Sequence, residues 1–143
     1  PLLAPSAVIR DCVADEVVLV SMVPKTAKSR AVKRLRRGAG VEATLTLKPA
    51  SANTGIVFVR SFADQAPRKA TVSRNSVQAT DLATVLGDRS GALVSTVEHV
   101  LAAFSGLSID NALVEIDGPE VPILDGSAAD FVAAIDAVGV AEV

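Results

Sequence analysis

Ser95-Thr96-Val97-Glu98-His99-Val100-Leu101-Ala102-Ala103-Phe104-Ser105-Gly106 is the stretch that decides the fold of this 143-residue chain. Val97, Val100, Leu101 and Phe104 recur at i, i+3, i+4 and i+7, which predicts a helix with one apolar face. Ser95 and Glu98 stand at capping-box spacing at its start, and Gly106 stops it. Ala112 to Ile116 then reads as a strand, and Asp117-Gly118-Pro119 as a turn, with an extended stretch expected at Val121 to Leu124. Phe131, Val132, Ile135 and Val138 outline a second helix ending near Gly139, with Ser127 and Asp130 again at capping-box spacing.

Upstream of this stretch the period changes. Thr44-Leu45-Thr46-Leu47 alternates as a half-buried strand does, Pro49 to Gly55 carries turn residues, and Ile56 to Val59 returns. Residues 41–60 therefore read as a hairpin. A polar loop follows at Ala63 to Arg68, then short strands at Ala70 to Ser73 and Leu82 to Leu86, with a turn at Gly87 to Gly91. Strands followed by helix, strand and helix predict an α+β two-layer sandwich, a mostly antiparallel sheet with two helices on one face.

Half the residues are apolar but only 3% are aromatic, with no Trp or Tyr, so the core must be built from Val, Ile, Leu and Ala. A formal charge of -2 gives no overall reason to expect a nucleic-acid partner. Lys25 to Arg37 holds seven of the fourteen Lys and Arg residues, as a solvated segment or a phosphate-binding surface would. Ala7 to Val23 reads as a strand pair or a buried helix closed by Pro24, and residues 1–28 form a segment without an assigned role ahead of a domain at 29–143. Val17 to Val23 is too short to span a bilayer and follows Asp15 and Glu16 rather than a basic region. The lone Cys12 excludes an internal disulfide and fits a reducing compartment, so a soluble, cytoplasmic protein is expected. Beginning at Pro1 rather than Met, the chain is expected to be a processed or truncated piece of a longer one.

His99 is the only histidine. At about 100° per residue it points roughly 150° away from the apolar helix face, which disfavours a core role and leaves a surface histidine or a ligand. Glu98, on the flank, is either the capping partner of Ser95 or a functional carboxylate. In the first helical turn the dipole favours a carboxylate and disfavours protonated imidazole. Neutral imidazole is the form that binds metal, and an adjacent Glu can serve as base toward a water on that metal. A catalytic zinc takes three protein ligands and a water, so with one His and one distant Cys the chain would need carboxylates for the rest: either there is no metal, or the missing ligands lie outside these residues.

Val94 to His99, Ala102-Ala103, Gly106 to Ala112, Glu115 to Ala129 and Phe131-Val132 closely resemble the N-terminal half of the UDP-3-O-acyl-N-acetylglucosamine deacetylases, zinc amidases of lipid A synthesis in Gram-negative bacteria. The match is densest from Val94 to Gly139; Thr44 to Ala50 and Asn53-Thr54-Gly55 resemble the family's first hairpin, and residues 1–28 match nothing in it. The resemblance implies two similar α+β domains whose sheets pack face to face with the helices outside and the active site between them. This chain would be the first. By the same resemblance His99 is a Zn2+ ligand and Glu98 the general base. The remaining ligands, a His and an Asp, and a second catalytic His would come from a C-terminal domain or another chain covering the sheet face. Two departures stand out: Gly38-Ala39-Gly40-Val41 runs directly into Glu42-Ala43, without the family's Gly-Leu-His segment, and Ala83 takes the place of a Cys. The competing expectation is a non-catalytic relic or structural subunit that keeps the fold. A phosphate- or nucleic-acid-binding module on Lys25 to Arg37 would rest on the charge cluster alone.

Overall fold

The computed structural model describes residues Ala7–Ile9, Val18–Val20 and 43–142. Strands β1 (Ala7–Ile9), β2 (Val18–Val20), β3 (Leu45–Pro49), β4 (Ile56–Arg60) and β5 (Arg68–Thr71) are followed by a 3-10 turn at Arg74–Ser76. Then come β6 (Val77–Ala79), β7 (Val85–Asp88), β8 (Gly91–Val94), helix α1 (Glu98–Gly106), β9 (Ala112–Ile116), helix α2 (Ala129–Asp136) and β10 (Val140–Glu142). The main sheet has the order β2-β3-β9-β4-β5, antiparallel except for the parallel pair β4 and β9. A second sheet, β6-β7-β8, is antiparallel, and β1 pairs with β10. This is the expected α+β architecture. Of the N-terminal alternatives, strands are observed, pairing in different sheets instead of with each other.

The expected hairpin at residues 41–60 does not form. Leu45 pairs with Ile116 and Phe58 with Val114, so β9 lies between β3 and β4. The reason lies in β9, where Ala112, Val114 and Ile116 are buried and supply the apolar centre of the sheet. The Ala50 to Gly55 connection opens to admit it, and Asn111 fixes the opening. The Gly55 amide donates to Asn111 Oδ1 at 3.0 Å, and the Ala112 amide donates to the Gly55 carbonyl at 3.1 Å. Gly55 sits at φ +72°, a conformation that a side chain would strain.

One face of the main sheet, with Leu45, Leu47, Phe58, Val114 and Ile116, packs against the helices. Val100, Ala103 and Phe104 of α1 and Phe131 and Ile135 of α2 complete this core, confirming the apolar helix faces read from spacing. The opposite face presents the rows Thr46-Glu115-Val59-Lys69 and Lys48-Leu113-Val57-Thr71, with Lys48 and Glu115 paired at 2.9 Å. Within these two rows the apolar residues are Val57, Val59 and Leu113, set among polar and charged ones.

Two arginines join the sheets. Arg68 on β5 makes a fork to Asp88 on β7, at 2.5 Å and 3.2 Å, and donates to the Gly91 carbonyl at 3.0 Å. Arg60 on β4 donates to the Leu93 carbonyl of β8 at 2.9 Å, with its guanidinium 4.7 Å from the centre of the Phe62 ring. Within the small sheet Gly87 is required in the β7–β8 hairpin, since a Cβ there would lie 2.4 Å from the Gly91 carbonyl oxygen.

Other sequence expectations shift by a few residues. The strand placed at Ala70 to Ser73 begins at Arg68. The one placed at Leu82 to Leu86 begins at Val85, because Leu82 is fully exposed and pairs with nothing in a sheet. Val121 to Leu124 is not a strand: only a single parallel bridge, Ser95 with Glu120, precedes it. The basic run Lys25 to Arg37, Cys12 and the Gly38 to Glu42 junction lie outside the described residues.

Candidate active site at the start of the first helix

The two residues singled out from the sequence, Glu98 and His99, are the first two of α1, and both are half-buried. Their surroundings differ from the capping box that the spacing suggested. The Ser95 amide is taken by the Pro119 carbonyl at 3.0 Å, and the Val121 amide returns to the Ser95 carbonyl at 3.0 Å. Ser95 is therefore locked into a bridge with the segment before α2, and its amide is not free to hold Glu98. The helix N-cap is Val97, which makes no side-chain cap. At α2 the box is absent as well: its N-cap is Ala128, and the Ser127 hydroxyl accepts from the Ala129 amide at 3.1 Å while donating to Asp125 at 2.7 Å.

Released from capping, Glu98 reaches across to the loop before β7, where its Oε1 accepts a hydrogen bond from the Thr84 amide. Partial burial raises the Glu98 carboxyl. The Thr84 amide and hydroxyl, its own amide and the neighbouring His99 charge outweigh that burial and hold it below the ordinary carboxylate value. Asp125 is also held low, chiefly by the Ser127 hydroxyl and amide, and the charge on His99 adds to this. The site thus holds one ionised carboxylate directly beside an imidazole and a second within electrostatic range.

Thr84 and Asp125 were missed by sequence reasoning for different reasons. The Thr84 contribution is largely a backbone amide, which leaves no side-chain signature. Asp125 lies in the Glu115 to Ala129 stretch that carries the resemblance, but no spacing rule ties it to a residue 26 positions earlier (125 minus 99). Among the described residues no group of three or more His, Cys, Asp and Glu is placed to hold a metal. One imidazole with a carboxylate beside it suits a corner of a metal site rather than a whole one.

On this α+β layer a carboxylate and an imidazole are thus neighbours in the chain where an amphipathic helix begins. Residues 35–143 match the model of the family described as LpxC: UDP-3-O-acyl N-acetylglycosamine deacetylase, and the chain belongs to that family. It is 56% identical over 102 residues to a Brucella ovis protein named UDP-3-O-acyl-N-acetylglucosamine deacetylase, a match covering 71% of this chain and 35% of that relative. A protein of the same name from Phenylobacterium zucineum is 47% identical over 100 residues, covering 70% of this chain and 34% of the relative. The matched part thus spans about a third of the length of these curated relatives.

Proposed function

We propose that residues 29–143 are the N-terminal domain of a zinc-dependent hydrolase that removes the N-acetyl group of UDP-3-O-acyl-N-acetylglucosamine in lipid A biosynthesis. The observation that carries this reading is the release of Glu98 from capping: its carboxylate is held by the Thr84 amide, ionised, beside His99. In this reading His99 is one zinc ligand and Glu98 the general base. Zinc, when bound, would polarise the acetamide carbonyl as a Lewis acid. Glu98 takes a proton from the attacking water as its oxygen bonds to the acetamide carbonyl carbon, and that proton passes to the nitrogen as the C–N bond breaks, giving acetic acid, which ionises to acetate, and a free amine. The Thr84 amide keeps the carboxylate charged and aimed, and Asp125 supplies negative charge that favours a cation near His99. The other ligands come from a further domain, in the same polypeptide or another. A nucleotide-sugar substrate and the lone Cys12 support a cytoplasmic setting in a Gram-negative bacterium. Residues 1–28 are assigned no part in it.

The experiment is to measure zinc content and deacetylase activity of this chain alone and together with a family C-terminal domain. Zinc binding and turnover in the combined protein, with neither in the chain alone, are expected. A combined protein that folds but binds no zinc would favour a relic that keeps only the fold.

A further inference from the structure

Thr96, two residues before Glu98, has φ +59°. A β-branched side chain in the left-handed region is a genuine outlier, strained and sustained only where the surroundings over-determine it. Here they do. Thr96 is 7% exposed, and its Oγ1 donates to Glu120 Oε1 at 2.6 Å. On either side, the Ser95 bridge fixes the incoming chain and the Val97 position, at φ -83°, already turns as a helix. With no side-chain cap on Val97, the direction in which α1 leaves the sheet is set by the turn at Thr96.

We propose that Thr96 and Glu120 are positioning residues: the hydroxyl–carboxylate bond holds a strained left-handed turn that aims Glu98 and His99 into the site. The idea rests on the reading of Glu98 and His99 given above. The physical logic is a trade of local strain for direction. An ordinary right-handed or extended residue at position 96 would send α1 along another axis and carry Glu98 away from the Thr84 amide. Glycine would reach φ +59° without strain but would also leave it freely. A threonine tied to Glu120 has one conformation, which suits a site whose reacting groups must be placed to within a fraction of an ångström. The Glu120 carboxylate is delivered by the bridge that pairs it with Ser95, so the clamp and the element it clamps are built from the same two segments.

The test compares Thr96→Val, Thr96→Ser and Thr96→Gly, with Glu98→Ala as control, in this chain combined with a family C-terminal domain and loaded with zinc. Thermal unfolding, kcat, KM and zinc affinity by chelator competition are read for each. Thr96→Val keeps the shape and loses the bond, so kcat is expected to fall about tenfold or more with KM little changed, consistent with a small misplacement of reacting groups. Zinc affinity is expected to fall with it, and Thr96→Ser, which keeps the hydroxyl, to recover most of both. Should Thr96→Val fail to fold, Thr96→Gly carries the test: it is expected to unfold near the parent temperature while kcat and zinc affinity still drop. Parent kcat and zinc affinity in every folded Thr96 variant, with Glu98→Ala inactive, would overturn the clamp and leave the base assignment standing. Activity retained by Glu98→Ala would instead remove the reading on which the clamp rests.

Discussion

Glu98 has two jobs that its position makes separable. As a hydrogen-bond acceptor it ties the start of α1 to the loop before β7 through the Thr84 amide, and as an ionised carboxylate it is available to take a proton. Glu98→Gln keeps the shape and one acceptor oxygen for that amide but removes the basicity. Its unfolding free energy, measured in urea, is expected to stay within about 1 kcal/mol of the parent, since a neutral acceptor replaces a charged one in the same place. Turnover of the zinc-loaded combined protein is expected to fall by about 10²–10⁴-fold, the usual contribution of a general base. A large loss of stability with little loss of rate would mean that the tie to Thr84 is the more important job. Helix phase was enough to set both residues off the core face, because 3.6-residue periodicity is a property of the chain itself. The partner of Glu98 was not legible, because Ser95 satisfies the capping-box rule equally well and only the fold shows its amide already taken by Pro119.

The same division holds for the elements. Strand β9 was read at its bounds and both helices within two or three residues of theirs, since each carries its own apolar pattern and an Asp, Gly or Ser boundary. The error lay in pairing. Two alternating strands joined by a turn imply a hairpin locally, and nothing between residues 41 and 60 announces that a strand some fifty residues later will separate them. The one local trace is Asn111, a buried polar residue just ahead of an apolar strand. Its Oδ1 receives the Gly55 amide, which the separation of β3 from β4 would otherwise leave without that acceptor. Asn111→Ala therefore removes an acceptor from an amide held at the mouth of the sheet. A loss of about 1 kcal/mol is expected, the worth of a half-buried hydrogen bond, read from the urea midpoint at unchanged slope. Asn111→Asp should lose less, because it keeps an acceptor oxygen in place. Equal losses in the two variants would mean that the site responds to charge or packing instead of to this bond.

At the scale of the whole molecule, the question is what makes the small sheet and the main sheet one body. The shared apolar core includes Leu86 and Val94 from the small sheet, but the directional ties are the two arginines, Arg60 to Leu93 and Arg68 to Asp88 and Gly91. Burial, with the nearby Arg68 charge, lowers Arg60, whereas hydrogen bonding to Asp88 raises Arg68, so the second tie responds to pH. Asp88 is held below the ordinary carboxylate value, first by Arg68 and then by the Ser90 amide. A carboxyl lowered in the folded state binds fewer protons there than in the unfolded chain, so its contribution is complete above the unfolded value of about 4 and disappears as pH falls through the lower folded one. The position bears on the proposed site, because β7 follows directly on the Thr84 loop that holds Glu98. Asp88→Asn is accordingly expected to lower the unfolding temperature at pH 7, with the difference from the parent constant down to about pH 5 and closing below pH 4. Amide exchange at residues 85–94 should quicken in the variant at neutral pH more than exchange in β9 does, since the tie joins the small sheet to a body that keeps its own core. A temperature difference that persists undiminished into strong acid would show that Asp88 acts by shape, and that the two sheets are held together by their apolar contact alone.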